Sequence, residues 1–127
     1  MGKILNIVET AYRATLEEQD DTVLWLMTAL KNAGADVAVL LRGNAVNYVV
    51  RGQDSAGLTI AGVGFGNPPR IDEDILRLTQ KGVTVYAVRE DARDRGLDPG
   101  RVIGGIEFIS RNDLADLIEK YDQIWHW

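Results

Sequence analysis

Four short aliphatic runs recur along the chain, and segments of helical spacing separate most of them. They are KILNIV (Lys3 to Val8), DVAVLL (Asp36 to Leu41), VTVYAV (Val83 to Val88) and IEFIS (Ile106 to Ser110). The first is a continuous β-branched run, the pattern of a strand buried on both faces. QIWHW (Gln123 to Trp127) reads as a fifth, edge-like strand. A strand that returns through a helix to a parallel neighbour does so by a right-handed crossover, which places helices against the sheet. The alternation therefore predicts an α/β fold: a three-layer α/β/α sandwich with a mainly parallel five-stranded sheet.

The intervening segments carry helix signals. Val23, Leu26, Met27, Leu30 and Ala33 recur at helical spacing, with Thr22 or an earlier acidic residue as cap and Gly34 as stop. GNAVNYVVRGQ (Gly43 to Gln53) predicts a short helix with Ala45, Val46, Val49 and Val50 inward. IDEDILRLTQKG predicts a helix capped by Asp72, with Ile75, Leu76 and Leu78 on its core side and Gly82 at its end. ARDRG reads as a helical turn, and NDLADLIEKY as a helix opening on Asn112. With 127 residues, no repeat and no linker, the chain reads as a single domain over 1–127.

Charge and composition exclude several classes of function. A net charge of −5 argues against a nucleic-acid surface. No apolar run approaches the ~20 residues of a membrane helix, and MGKILNIVE enters a strand pattern without a leader, so a cytoplasmic protein is expected. The chain has no cysteine, which removes disulfides, thiolate metal sites and any thiol relay of its own.

In open α/β sheets ligands gather beyond the carboxyl ends of strands. VYAVREDARDRGL (Val85 to Leu97) is such a junction, and Glu90 and Asp91 are placed there for acid–base work. Arg89, Arg93 and Arg95 surround them, which would hold the acids ionised and favours ion pairs and helix capping on the surface. Glu9 and Thr10 follow the first strand, with Tyr12 and Arg13 close behind. A small polar ligand held by Glu9, Thr10, Tyr12, Arg89, Glu90 and Asp91 is the pocket these residues could line. The glycine-rich loop over 57–69 lacks a phosphate-binding spacing, and Asp72, Glu73 and Asp74 after it would repel an anion. His126, the single histidine, is a poor metal site and reads as a packing or subunit contact, as do Trp125 and Trp127. No cofactor, metal or catalytic residue is expected.

Three stretches together resemble the DsrE/DsrF-like family of small sulfur-relay proteins. They are LLRGNAVNYVVRGQ, GVTVYAVREDARDRGL and VIGGIEFISRNDLADLIEKYDQIWHW, in the family's order and spacing. In members that carry sulfur, a cysteine ends the third strand and takes up a persulfide, and some members have a second cysteine three residues on. Here those positions hold Val88 and Asp91. The resemblance therefore implies a non-catalytic member, a scaffold or binding subunit of sulfur relay. It also implies a homo-oligomer (trimer or hexamer) or a hetero-oligomer with related subunits, with sulfur-carrier proteins as possible partners. The alternative is a small-ligand protein or enzyme with a rebuilt polar site at the ends of strands one and three. A cysteine introduced at Val88 is expected to be reactive.

Overall fold

The computed structural model describes residues 2–12, 21–53, 59–64 and 70–127. Arg13 and most of the glycine-rich loop fall outside them. Five parallel strands form the main sheet: β1 (Ile4–Val8), β2 (Val37–Leu41), β5 (Thr84–Val88), β6 (Glu107–Ile109) and β7 (Gln123–His126). Their order is β6-β5-β2-β1-β7, so the chain steps outward from β1 and then returns to its other side. The described part of the glycine-rich loop is a separate hairpin of β3 (Thr59–Ile60) and β4 (Val63–Gly64).

Continuous apolar runs are explained by the two faces they serve. Val37, Val39 and Leu41 of β2 join the larger core with α1 (Thr22–Asn32) and α2 (Ile71–Gln80). Ala38 and Leu40 join the smaller core, against which Leu114, Leu117 and Ile118 of α4 (Leu114–Glu119) pack. Helical layers on both faces make the predicted three-layer α/β/α sandwich. The polar side chain of Asn6 lies wholly inside it, donating to Ala38 O at 3.3 Å and accepting from the Trp127 indole at 3.2 Å. Both ends of its amide are thus paired, as burial requires.

Local signals held at some ends and failed at others. Asp21 is the cap of α1, accepting from the backbone of Val23 at 3.0 Å and Leu24 at 3.1 Å. Gly34 and Gly82 follow their helices with φ of +91° and +85°, the left-handed turn that glycine adopts without strain. Residues Gly43–Val49 form a 3-10 helix, and this changes its inward face. At three residues per turn, i and i+3 eclipse, so Ala45 lines up with Tyr48 and Val46 with Val49. Tyr48 is thus fully buried, while Val50 is only partly so. In α2 the buried stripe is Ile71, Ile75 and Leu78, and Leu76 lies beside it, 37% exposed. Asp72 is not the cap; its buried carboxylate accepts from Gly52 N at 2.9 Å. Helix α3 (Arg89–Asp94) begins directly after β5, ahead of the predicted ARDRG turn. Before α4 the segment Arg111–Asp113 is 3-10, with the Ser110 hydroxyl accepting from Asn112 N.

Candidate functional site at the carboxyl edge of the sheet

Parallel strands bring all their carboxyl ends to one edge. There β2 stands between β1 and β5, so the six residues expected to share a pocket form two groups. Strands two apart are separated by roughly 9–10 Å.

In the first group Glu9 Oε1 meets Arg42 Nε at 2.8 Å and His126 Nε2 at 3.2 Å. Carboxylate, guanidinium and imidazole are each more than a third exposed, so the cluster meets solvent and the ion pair of Glu9 with Arg42 is weak. The backbone of Glu9 donates to Trp127 O at 3.0 Å, and that of Thr10 to the same oxygen at 3.5 Å. Tyr12 has φ of +57°; its side chain is exposed, and its N–H donates to the Tyr48 hydroxyl at 2.7 Å. Tyr48 in turn donates to Asp21 Oδ2 at 2.6 Å. Burial, then the Asp21 carboxylate, push the Tyr48 phenol far above its ordinary range, so it stays protonated. The Tyr12 ring stands edge-on to the Tyr48 ring at 5.2 Å, and its hydroxyl donates to Gln53.

In the second group the carboxylates are already engaged. Glu90 accepts the backbone N–H of Arg111, which lowers its pKa. Asp91 accepts from Gly43 N at 2.8 Å and from the Arg111 guanidinium at 2.6 Å. Burial pushes the Asp91 carboxyl up, but the Gly43 N–H, Arg111 and the charge of Arg95 outweigh it and hold the group below the usual carboxylate range. Among the described residues Arg89 donates to the Phe108 carbonyl at 3.4 Å. Val88, just before them, is fully buried and belongs to the smaller core with Leu40 and Leu117. This changes the expectation for a cysteine there, since a thiol in hydrocarbon is shielded and favours its protonated form.

The exit of β2 serves both groups, and the sequence reading had not placed it there. Arg42 pairs with Glu9, Gly43 caps Asp91, and the Asn44 side chain accepts from Arg95 at 2.9 Å. His126 and Arg111 were likewise missed as neighbours of the site. Their signal was the strand order, which no local pattern carries. Among the described residues no three His, Asp or Glu groups are placed to hold a metal ion, and no helix is long and apolar enough to cross a membrane.

A pH dependence follows from Asp91. A carboxyl whose pKa is depressed by folding stabilises the protein above its ordinary value of 3.8, and that stability is lost as the pH falls through the lower folded value. Asp91→Asn keeps an acceptor for Gly43 and loses the charge. Thermal melts should show the variant less stable than the native chain at pH 7, with the gap closing as the pH falls below about 3.8. A gap that is constant with pH would mean the pair with Arg111 carries no linkage.

The profile of the DsrE/DsrF-like family matches residues 6–126, nearly the whole chain. The chain belongs to the DsrE/DsrF-like family. Solved structures agree in fold. The ychN protein from E. coli superposes with a TM-score of 0.75 at 22% identity, covering 100% of both chains. A conserved protein of unknown function from Bacteroides thetaiotaomicron, BT1422, gives 0.69 at 17% identity over 98% of this chain and 95% of that one. A protein of unknown function from Methanobacterium thermoautotrophicum, MTH1491, gives 0.61 at 18% over 97% of each. Identities this low carry the fold alone. Among curated proteins none matches the sequence. Within this DsrE/DsrF-like fold, the end of β5 runs directly into the start of α3.

Proposed function

We propose that this DsrE/DsrF-like chain is a non-catalytic subunit, a scaffold or binding partner in cytoplasmic sulfur relay. It would work within a homo-oligomer or beside related cysteine-bearing subunits and sulfur-carrier proteins. The observation that carries the reading is the hydrocarbon at position 88: valine stands where the resemblance places the sulfur-accepting thiol, and valine cannot bear a persulfide. The neighbouring carboxylates support it. Glu90 and Asp91 are committed to Arg111 and Gly43, and no nucleophile with a base in reach accompanies them among the described residues.

The test is to incubate the native chain with a persulfide donor and measure its intact mass, then to size it by light scattering alone and with a cysteine-bearing relative. No mass gain and a stable assembly are expected. Sulfane sulfur bound covalently to the native chain, or a strict monomer that binds no relay protein, would overturn the reading.

A second reading makes the group of Glu9, Thr10 and Tyr12 at the exit of β1 a small-ligand site, apart from Arg89, Glu90 and Asp91 across β2. The solvent-facing Glu9, Arg42 and His126 cluster favours it. A screen with thiosulfate and nucleotides should then raise the melting temperature. Glu9→Gln and Arg42→Ala should abolish that rise, and a rise untouched by either would remove the reading.

A further inference from the structure

The connection from α3 to β6 is short of helix. After Asp94 it holds the 3-10 turn Pro99–Arg101 before the sheet resumes at Glu107. A parallel crossover normally lays a full helix over the sheet. Here the edge strand β6 is thinly covered, and a groove of about 760 Å³ opens between it and α3, a volume usual for small-molecule pockets. Ala92, Leu97, Val102, Ile106 and Phe108 wall it. The last four are half-buried and rest on the larger core. Backbone bonds hold the connection in place: Arg51 N donates to Arg101 O at 2.7 Å, and Ile103 N to Val49 O at 2.9 Å. The groove is thus formed ahead of any occupant.

Charge narrows what suits it. Arg89 and Arg93 lie four residues apart on one face of α3, both exposed and both lining the groove. Among the described residues no carboxylate lines it. The acids nearest in sequence are engaged elsewhere. Glu90 and Asp91 hold Arg111, Asp94 stands 3.8 Å from the same guanidinium, and Asp98 accepts from Gly100 N at 2.9 Å. Arg89 has the neutral Phe108 carbonyl at 3.4 Å, and Arg93 pairs with no carboxylate among the described residues. Two like charges at that spacing repel each other, and an anion between them removes the repulsion.

We propose that the groove binds an amphipathic monocarboxylate, an unbranched aliphatic acid. Its chain lies along Leu97, Val102, Ile106 and Phe108, and its carboxylate sits between Arg89 and Arg93. Guanidinium and carboxylate match in a planar, two-bond pairing stronger than a contact with a neutral carbonyl. A wholly polar anion would leave the apolar wall in water, and a neutral apolar molecule would leave both cations unpaired. This binding site goes beyond the relay reading and does not depend on it.

The test is calorimetric titration of the native chain with decanoate, below its micelle concentration, set against octanoate, acetate and 1-octanol. Each buried methylene strengthens binding about three- to fourfold, so decanoate should bind about tenfold tighter than octanoate, and acetate not measurably. 1-Octanol, which lacks the charge, should bind at least about tenfold more weakly than octanoate. Arg93→Gln should weaken decanoate by at least about tenfold and leave 1-octanol unchanged. Gly104→Trp fills the groove and should abolish decanoate binding; a side chain added there meets no atom within 4 Å, so the fold has room for it. Unchanged far-ultraviolet circular dichroism verifies folding, and Arg93→Gln decides alone where Gly104→Trp does not fold. A native chain that binds no decanoate, an affinity that does not rise with chain length, or a folded variant that binds decanoate as tightly as the native chain would each overturn the proposal.

Discussion

Asp21→Ala should lower stability by about 2–4 kcal/mol, the largest loss expected from any single polar side chain here. Two costs combine. The cap of α1 loses the acceptor for Val23 and Leu24 N–H, worth about 1 kcal/mol. The Tyr48 hydroxyl, on a fully buried residue, loses its acceptor at 2.6 Å, and an unsatisfied buried donor costs about 1–3 kcal/mol. For a domain of this size the melting temperature should fall by roughly 10 °C. Asp21→Asn retains a capping oxygen and should recover a large part of the loss. Tyr48→Phe leaves the cap intact and should cost about 1–3 kcal/mol through the orphaned Tyr12 N–H and Asp21 oxygen. The two sites share one hydrogen bond, so the double variant should lose less than the sum of the singles. A melt of Asp21→Ala within a degree or two of native would show that the network stabilises nothing. Because Tyr48 also fixes the backbone of Tyr12, the same substitution should loosen the segment that leaves β1 at the candidate site.

Val88→Cys should give a protected thiol. The position is fully buried among Leu5, Ile7, Leu40 and Leu117, so a reagent reaches it only when the junction opens. Alkylation in the native state should run about a hundredfold slower than in denaturant, which corresponds to an opening free energy of about 2.7 kcal/mol. Glu119→Cys, on the exposed end of α4, is the control and should react at the unfolded rate. The absence of native cysteines makes both measurements clean. Fast alkylation at position 88 would show that the junction between β5 and α3 opens readily, the behaviour a sulfur-accepting site needs.

Much of the fold was legible because periodicity is local. The apolar runs became the five strands of the sheet, and Asp21, Gly34 and Gly82 marked helix ends through their own side chain or φ. The failures have a common cause. Tyr48 and Val50 were exchanged because a 3-10 helix eclipses every third residue, a spacing close enough to α to be confused with it. Asp72 was taken for a cap because its sequence position suits one, but Gly52, twenty residues earlier, presents the N–H it accepts. The candidate site was legible in its residue types and not in its arrangement. Glu9 and Asp91 were both found, while Arg42, Gly43 and Asn44, which lie between them, were not.

Read alone, the chain determines its class, its strands and the hydrocarbon at position 88, since each depends on residue type and short-range spacing. It also determines the lack of any thiol. The tertiary structure alone decided that β2 separates β1 from β5, that His126 meets Glu9 across 117 residues of chain, and that Val88 is closed off beneath α4. Strand order is a long-range choice among pairings of similar local quality, made by the packing of the whole domain.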